Sequence, residues 1–174
     1  MRFLKVFLSA VSLFAFFNAH AQPITGFLGY KFGQYIPWWA EGTTGHIEVV
    51  NFKDDFFDRL EISATPESKK LYSISAFKAL AQCEESDELE ALTQLLKDKY
   101  EPGLYKLDPR LEITKGSNYT FRVDGKWILL QCVGRQINLR YNDLELYKKV
   151  EKELQSIKQK RIDALKGKIG ESKL

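Results

Sequence analysis

The sequence of 174 residues is poor in the side chains that most catalytic and metal sites require: it has two cysteines and two histidines. It contains no glycine-rich nucleotide-binding pattern and no H-E-x-x-H zinc pattern. The G-x-S-x-G turn that carries a nucleophilic serine is also absent. We therefore predict a protein that needs no cofactor, binds no metal and is not an enzyme.

The first 21 residues have the composition of a signal peptide. Arg2 and Lys5 form a basic start, an apolar run follows from position 6 to position 17, and small residues that end at Ala21 fit cleavage before Gln22. This run is too short to cross a bilayer, which takes roughly 20 apolar residues, and no later stretch is long enough. We predict an exported mature chain, periplasmic or secreted, without an integral membrane segment.

Removal of this segment leaves the protein almost neutral. The whole chain has 26 basic and 23 acidic residues, a net charge of +3. Loss of Arg2 and Lys5 leaves 24 against 23, a net charge of +1. A nearly neutral chain has no overall positive field, so nucleic acid is not a predicted partner.

Cys83 and Cys132 both lie in the exported part, 49 positions apart. In an oxidising compartment such a pair predicts one disulfide. The alternatives are two free thiols, a redox pair or a metal pair. The spacing is unlike C-x-x-C and two sulfurs do not complete a zinc site, so the pattern favours a structural disulfide.

The apolar pattern predicts an α+β domain at residues 22–143 and a C-terminal helical tail at 144–174. The domain contains an antiparallel sheet of about six or seven strands with one packed helix. Alternation in the strand at 70–77 predicts that one of its faces is buried. Strands are predicted at 24–32, 46–52, 57–64, 70–77, 119–123, 126–133 and 136–141, a loop at 33–45, and helices at 84–100 and from 143 to about 166.

The C-terminal helix is amphipathic and basic. Residues 144–174 have nine basic and five acidic side chains, and the rest of the mature chain has a net charge of −3. An apolar stripe that includes Tyr147, Leu154 and Ile157 follows helical spacing, which favours docking on the protein's own body. Binding in a partner's groove and lying on an anionic membrane are the alternatives.

Aromatic residues are concentrated near the start of the mature chain. Tyr35, Trp38 and Trp39 lie on the predicted loop, and Tyr30 lies on the strand before it. Such side chains suit a contact surface, because they combine a large apolar area with a polar group. We predict that these four residues bind a protein or an envelope glycan; the alternative is that they cover the sheet edge. Trp127 is predicted to lie in the core.

Two catalytic hypotheses use the remaining side chains. His46 is the only histidine of the mature chain, and we interpret it as a structural residue at a strand start, because it has no catalytic motif. Glycoside hydrolysis needs only two carboxylates. The alternative function is therefore a carbohydrate-binding or carbohydrate-active protein that uses Trp38 and Trp39 with Glu41 or Glu48.

Four segments carry a recognisable pattern: 26–33 (GFLGYKFG), 71–76 (LYSISA), 95–100 (LLKDKY) and 128–143 (ILLQCVGRQINLRYND). They predict a glycine-rich first strand, a helix that ends in Lys-Tyr, and a strand pair that carries a cysteine and a Tyr-x-Asp ending. In these features the chain resembles small uncharacterised exported proteins of Gram-negative bacteria. The resemblance implies a periplasmic location and an α+β fold, and it implies no catalytic residue or ligand.

Overall fold

The computed structural model describes residues 23–100, 104–106 and 118–171. The predicted signal peptide and its cleavage site between Ala21 and Gln22 lie outside these residues. The elements in chain order are β1 (Gly26–Phe27), β2 (Tyr30–Lys31), β3 (Ile47–Glu48), β4 (Arg59–Ala64), β5 (Leu71–Ala79), α1 (Asp87–Tyr100), β6 (Leu104–Lys106), β7 (Asn118–Val123), β8 (Lys126–Val133), β9 (Gln136–Asp143) and α2 (Leu144–Glu171).

Seven strands form one antiparallel sheet in the order β3-β4-β5-β9-β8-β7-β6, and β1 and β2 form a separate hairpin. The predicted α+β class, the strand number and the C-terminal helix are confirmed. The central strand of the seven is β9, and its pairing with β5 brings together two meanders distant in sequence. The Asp124-Gly125 turn joins β7 to β8, with positive φ at both residues, as a tight two-residue hairpin requires.

One face of the sheet carries the main core. Ile62, Ile74, Tyr141, Ile128 and Phe121 form a continuous row across β4, β5, β9, β8 and β7. The buried side of α1 joins the same core, with the Tyr100 and Phe121 ring centroids 6.4 Å apart. Ser86 caps this helix, because its hydroxyl accepts a hydrogen bond from the Leu89 amide at 3.2 Å.

The predicted strand at 24–32 is wrong in one respect: it is a hairpin of two very short strands. Leu28 and Gly29 both have positive φ, at 47° and 82°, so the chain reverses between them. The turn leaves Phe27 stacked on Tyr141, with ring centroids 4.4 Å apart. The hairpin therefore covers the core face of the central strands.

The predicted cysteine pair is confirmed. The Cys83 and Cys132 sulfurs lie at bonding distance, and the two Cα atoms are 5.8 Å apart. Both residues are buried. The bond joins the chain just before α1 to β8, so it ties the helix to the sheet it packs on.

Helix α2 begins directly after β9, and it extends beyond the predicted end near position 166. The Asp143 carboxylate caps it by accepting hydrogen bonds from the amides of Glu145 and Leu146, both at 3.0 Å. Ile157 is the buried residue of the predicted apolar stripe. Tyr147, Leu165 and Ile169 are exposed, so the helix docks on the body through its middle and leaves its last turns uncovered.

Candidate functional site

The predicted aromatic loop is held against the turn between β4 and β5. The Gly33 amide donates to the Leu71 carbonyl, the Ile36 amide to the Lys69 carbonyl and the Gly42 amide to the Pro66 carbonyl, each at 2.9 Å. The buried Ile36 side chain anchors the same segment in the core. The loop therefore has a fixed backbone, although it contains almost no regular structure.

The four predicted contact residues separate into two groups. Tyr35 and Trp38 are 52% and 54% exposed, whereas Trp39 is fully buried and Tyr30 packs half-buried against the core. The Trp39 indole N–H donates to the Thr43 carbonyl at 3.4 Å, which satisfies its polar group inside the protein. Trp39 is thus a correction to the predicted contact set. Tyr35 and Trp38 remain, and we call them the Tyr35–Trp38 surface.

The burial of Trp39 also weakens the predicted sugar site. Glu41 and Glu48 are both exposed carboxylates. A sugar bound beside them would find one exposed indole face, that of Trp38, instead of the expected two.

His46 lies immediately before β3, as predicted, and its ring contacts the sheet. Its Nδ1 atom is 2.7 Å from the Ser63 hydroxyl. Desolvation of the ring and the nearby positive charge of Arg140 lower the pKa of His46, and the carboxylate of Glu61 opposes this effect. A lowered pKa keeps the imidazole neutral near neutral pH.

Within residues 23–100, 104–106 and 118–171, no cluster of three histidine, cysteine or acidic residues could hold a metal. Over the same residues, no helix combines the length and apolarity needed to span a bilayer.

The structure reveals a second site that the sequence analysis missed. A cavity of about 310 Å³ opens on the sheet face opposite to the core row, beside the start of α2. We call it the sheet-face cavity. It is lined by His46, Tyr72, Ser73, Trp127, Arg140, Asn142, Leu144 and Tyr147.

A β-bulge helps to shape this cavity. Ser63 pairs with Ser73 and Ala64 pairs with Leu71, so Tyr72 is an extra residue in β5. The bulge allows Tyr72 and Ser73 to line the same cavity although they are sequence neighbours. Desolvation raises the pKa of Tyr72, so its hydroxyl stays protonated.

The sequence held a signal for this site that we interpreted differently. Alternation in this strand predicts one buried face, yet every residue from Leu71 to Phe77 is buried, so both faces of β5 are covered. Trp127, predicted as core, is half-buried in the cavity wall. Polar residues on a buried strand face are the feature that marks the cavity.

Comparison with known proteins adds no relative. No protein-family model, no curated protein and no solved structure matches this chain.

Proposed function

We propose that this chain is an exported, non-catalytic protein that binds another macromolecule through the Tyr35–Trp38 surface. The observation that carries the proposal is two large aromatic side chains, each more than half exposed, on a loop whose backbone is fixed. Export is supported by the signal-like first 21 residues and by the Cys83–Cys132 pair, because disulfides persist outside the cytosol.

A fixed loop favours binding for an energetic reason. Ordering a mobile loop upon binding subtracts free energy from the complex, and this loop is already ordered by its hydrogen bonds to the β4–β5 turn. Tyr and Trp are the residues most often found to dominate binding at protein interfaces. The Lys70 ammonium lies 5.9 Å from the centroid of the Tyr35 ring, so the surface combines aromatic area with a positive charge.

The test compares wild-type protein with Trp38→Ala and Tyr35→Ala variants. Leu95→Ala is the matched control, because Leu95 is 57% exposed but lies on α1. We expect envelope partners captured by the wild type to be retained by the control and lost by Trp38→Ala. With the purified partner, Trp38→Ala should weaken binding by about thirtyfold, the effect of an interface residue that contributes about 2 kcal/mol.

Capture of the same partners by Trp38→Ala and by the Leu95→Ala control would reject the surface. Two other functions predicted from the sequence give different results. Release of reducing sugar from peptidoglycan would identify a carbohydrate-active protein. Flotation with anionic liposomes, lost upon removal of the exposed Leu165 and Ile169 side chains, would identify a membrane-surface protein.

A further inference from the structure

Three polar groups without a protein partner lie side by side in the sheet-face cavity. Ser73, Asn142 and Trp127 are aligned across β5, β9 and β8 as Cα partners. Over the described residues, the Ser73 hydroxyl, the Asn142 amide nitrogen and the Trp127 indole nitrogen have no hydrogen-bond partner. Ser73 and Asn142 are only 1% and 8% exposed. A buried polar group left without a partner costs about 1–3 kcal/mol, so a row of three calls for a functional explanation.

The chemistry of these groups defines what they can bind. An indole N–H and an amide NH₂ only donate hydrogen bonds, and a serine hydroxyl can donate as well. The complementary ligand therefore presents acceptor atoms. Thr120 and Asn138 carry two further unpartnered polar atoms on the same face, so the polar character extends beyond the cavity.

Arg140 supplies a positive charge to the same site. Its Nε atom donates to the Ser75 hydroxyl at 3.0 Å, which orients the guanidinium. Among the residues that the structure describes, no acceptor pairs with its other N–H groups, so they are available to a ligand. The nearest acidic residue in its row, Glu61, is bound to Arg59 at 3.0 Å. In the part of the chain that the structure describes, the lining contains no carboxylate.

The other walls are apolar or aromatic. The Tyr72 and Tyr147 rings meet edge to face, with centroids 5.7 Å apart, and Leu144 lies beside them. A volume of about 310 Å³ is at the small end of the range for ligand sites. The cavity thus matches a small molecule with an apolar body and one acceptor-rich group.

We propose that the sheet-face cavity binds a small organic carboxylate with an apolar or aromatic body. The guanidinium of Arg140 pairs with the carboxylate, the N–H groups of Asn142 and Trp127 donate to it, and the tyrosine rings enclose the body of the molecule. Arginine binds carboxylates well because its planar N–H groups match the two oxygens. This site is independent of the Tyr35–Trp38 surface.

The test is calorimetric titration of the mature protein with phenylacetate and with phenylacetamide, which has the same body without the charge. Benzoate and hexanoate extend the panel, and inorganic phosphate tests a different anion. We expect phenylacetate to bind about tenfold or more tightly than phenylacetamide, since a hydrogen bond to a charged group is worth more than one to a neutral group.

Variants identify the residues responsible. Arg140→Gln should weaken phenylacetate binding by about tenfold or more, whereas Arg135→Gln, at an exposed position of the β8–β9 turn, should not. Trp127→Phe keeps an aromatic ring and removes only the N–H group, so it tests the site even if Arg140→Gln fails to fold. It should weaken binding by several-fold.

Four results would overturn the proposal. The first is that no carboxylate of the panel binds, and the second is that phenylacetate and phenylacetamide bind equally well. The third is that phosphate displaces phenylacetate at equal concentration. The fourth is that the Arg140→Gln and Arg135→Gln variants bind phenylacetate equally well. The first would indicate that water alone satisfies the buried groups. Trp38→Ala should leave phenylacetate binding unchanged, so this test is separate from that of the proposed function.

Discussion

One carboxylate of helix α2 binds the turn between β4 and β5, and this attachment can be tested quantitatively. The Glu153 carboxylate accepts hydrogen bonds from the Glu67 amide at 2.8 Å and the Ser68 amide at 3.0 Å. It also accepts one from the Ser68 hydroxyl. We expect Glu153→Gln to destabilise the protein, because a neutral amide oxygen accepts the two amide hydrogen bonds more weakly and an NH₂ group replaces the oxygen that accepts from the Ser68 hydroxyl.

The magnitude follows from the number and exposure of these bonds. Hydrogen bonds to charged groups contribute about 1.5–3 kcal/mol each when buried. Glu153 is half-buried, so solvent reduces this value, and glutamine retains one acceptor oxygen. We expect a loss of about 1–2 kcal/mol at neutral pH, or about 2–8 °C in Tm for a chain of this size.

The pH dependence of stability distinguishes the contribution of the Glu153 charge from that of side-chain packing. Desolvation acts to raise the pKa of Glu153, but the hydrogen bonds from Ser68, the Glu67 amide and Thr65 outweigh it and lower the pKa below the ordinary value of 4.5. A carboxyl with a lowered pKa in the folded state stabilises the protein above the unfolded value and loses this effect as the pH falls. The difference between wild type and Glu153→Gln should therefore shrink below about pH 4.5.

Urea unfolding followed by circular dichroism at neutral and acidic pH measures both effects. Glu151→Gln is the matched control, because Glu151 is an exposed carboxylate on the same helix. Equal stability of the two variants at neutral pH would refute the attachment. If Glu153→Gln lowers the free energy of unfolding by the same amount at acidic and at neutral pH, the charge of Glu153 has no role.

Two further predictions concern the scaffold. Cys83→Ala combined with Cys132→Ala should lower the free energy of unfolding by about 4 kcal/mol, the chain-entropy value for a sequence separation of 49. Urea unfolding measures this loss, and dithiothreitol should not affect the double variant. A loss below about 1 kcal/mol would contradict this account. Gly26→Ala should destabilise the protein by about 1–3 kcal/mol, because its Cβ would lie 2.0 Å from the Tyr30 carbonyl oxygen. Gly167→Ala is the control, because its Cβ meets open space and the variant should be as stable as the wild type or more stable. Thermal unfolding of both variants measures the difference.

Local signals in the sequence predicted much of the fold. The strands predicted at 57–64, 70–77, 126–133 and 136–141 and the helix predicted at 84–100 depend on nearby residues, and the structure confirms them to within a few residues. The strand order could not be predicted in the same way, because the pairing of β5 with β9 joins segments far apart in sequence. The hairpin at Leu28-Gly29 was missed because a leucine with positive φ is uncommon.

The candidate sites were harder to predict for a related reason. Trp38 and Trp39 are adjacent in a loop without a repeating pattern, so composition shows an aromatic cluster but not which ring points outwards. Ser73 and Arg140 alternate with apolar residues as on a solvated strand face, and only the folded structure shows that a bulge and the start of α2 enclose that face.

The turn between β4 and β5 supports both candidate sites. On one side, its Lys69 and Pro66 carbonyls accept the hydrogen bonds that fix the aromatic loop. On the other side, its amides donate to the Glu153 carboxylate and its Glu67 carboxylate binds Lys160. These contacts position helix α2, and the first turns of that helix form one wall of the sheet-face cavity. The turn also has internal hydrogen bonds that join Thr65 to Ser68, Lys69 and Lys70, so its own contacts, the loop and the helix fix it together. The buried polar row in the cavity makes the sheet less stable than an apolar face would, and the disulfide and the Glu153 attachment offset that cost at two separate points of the fold.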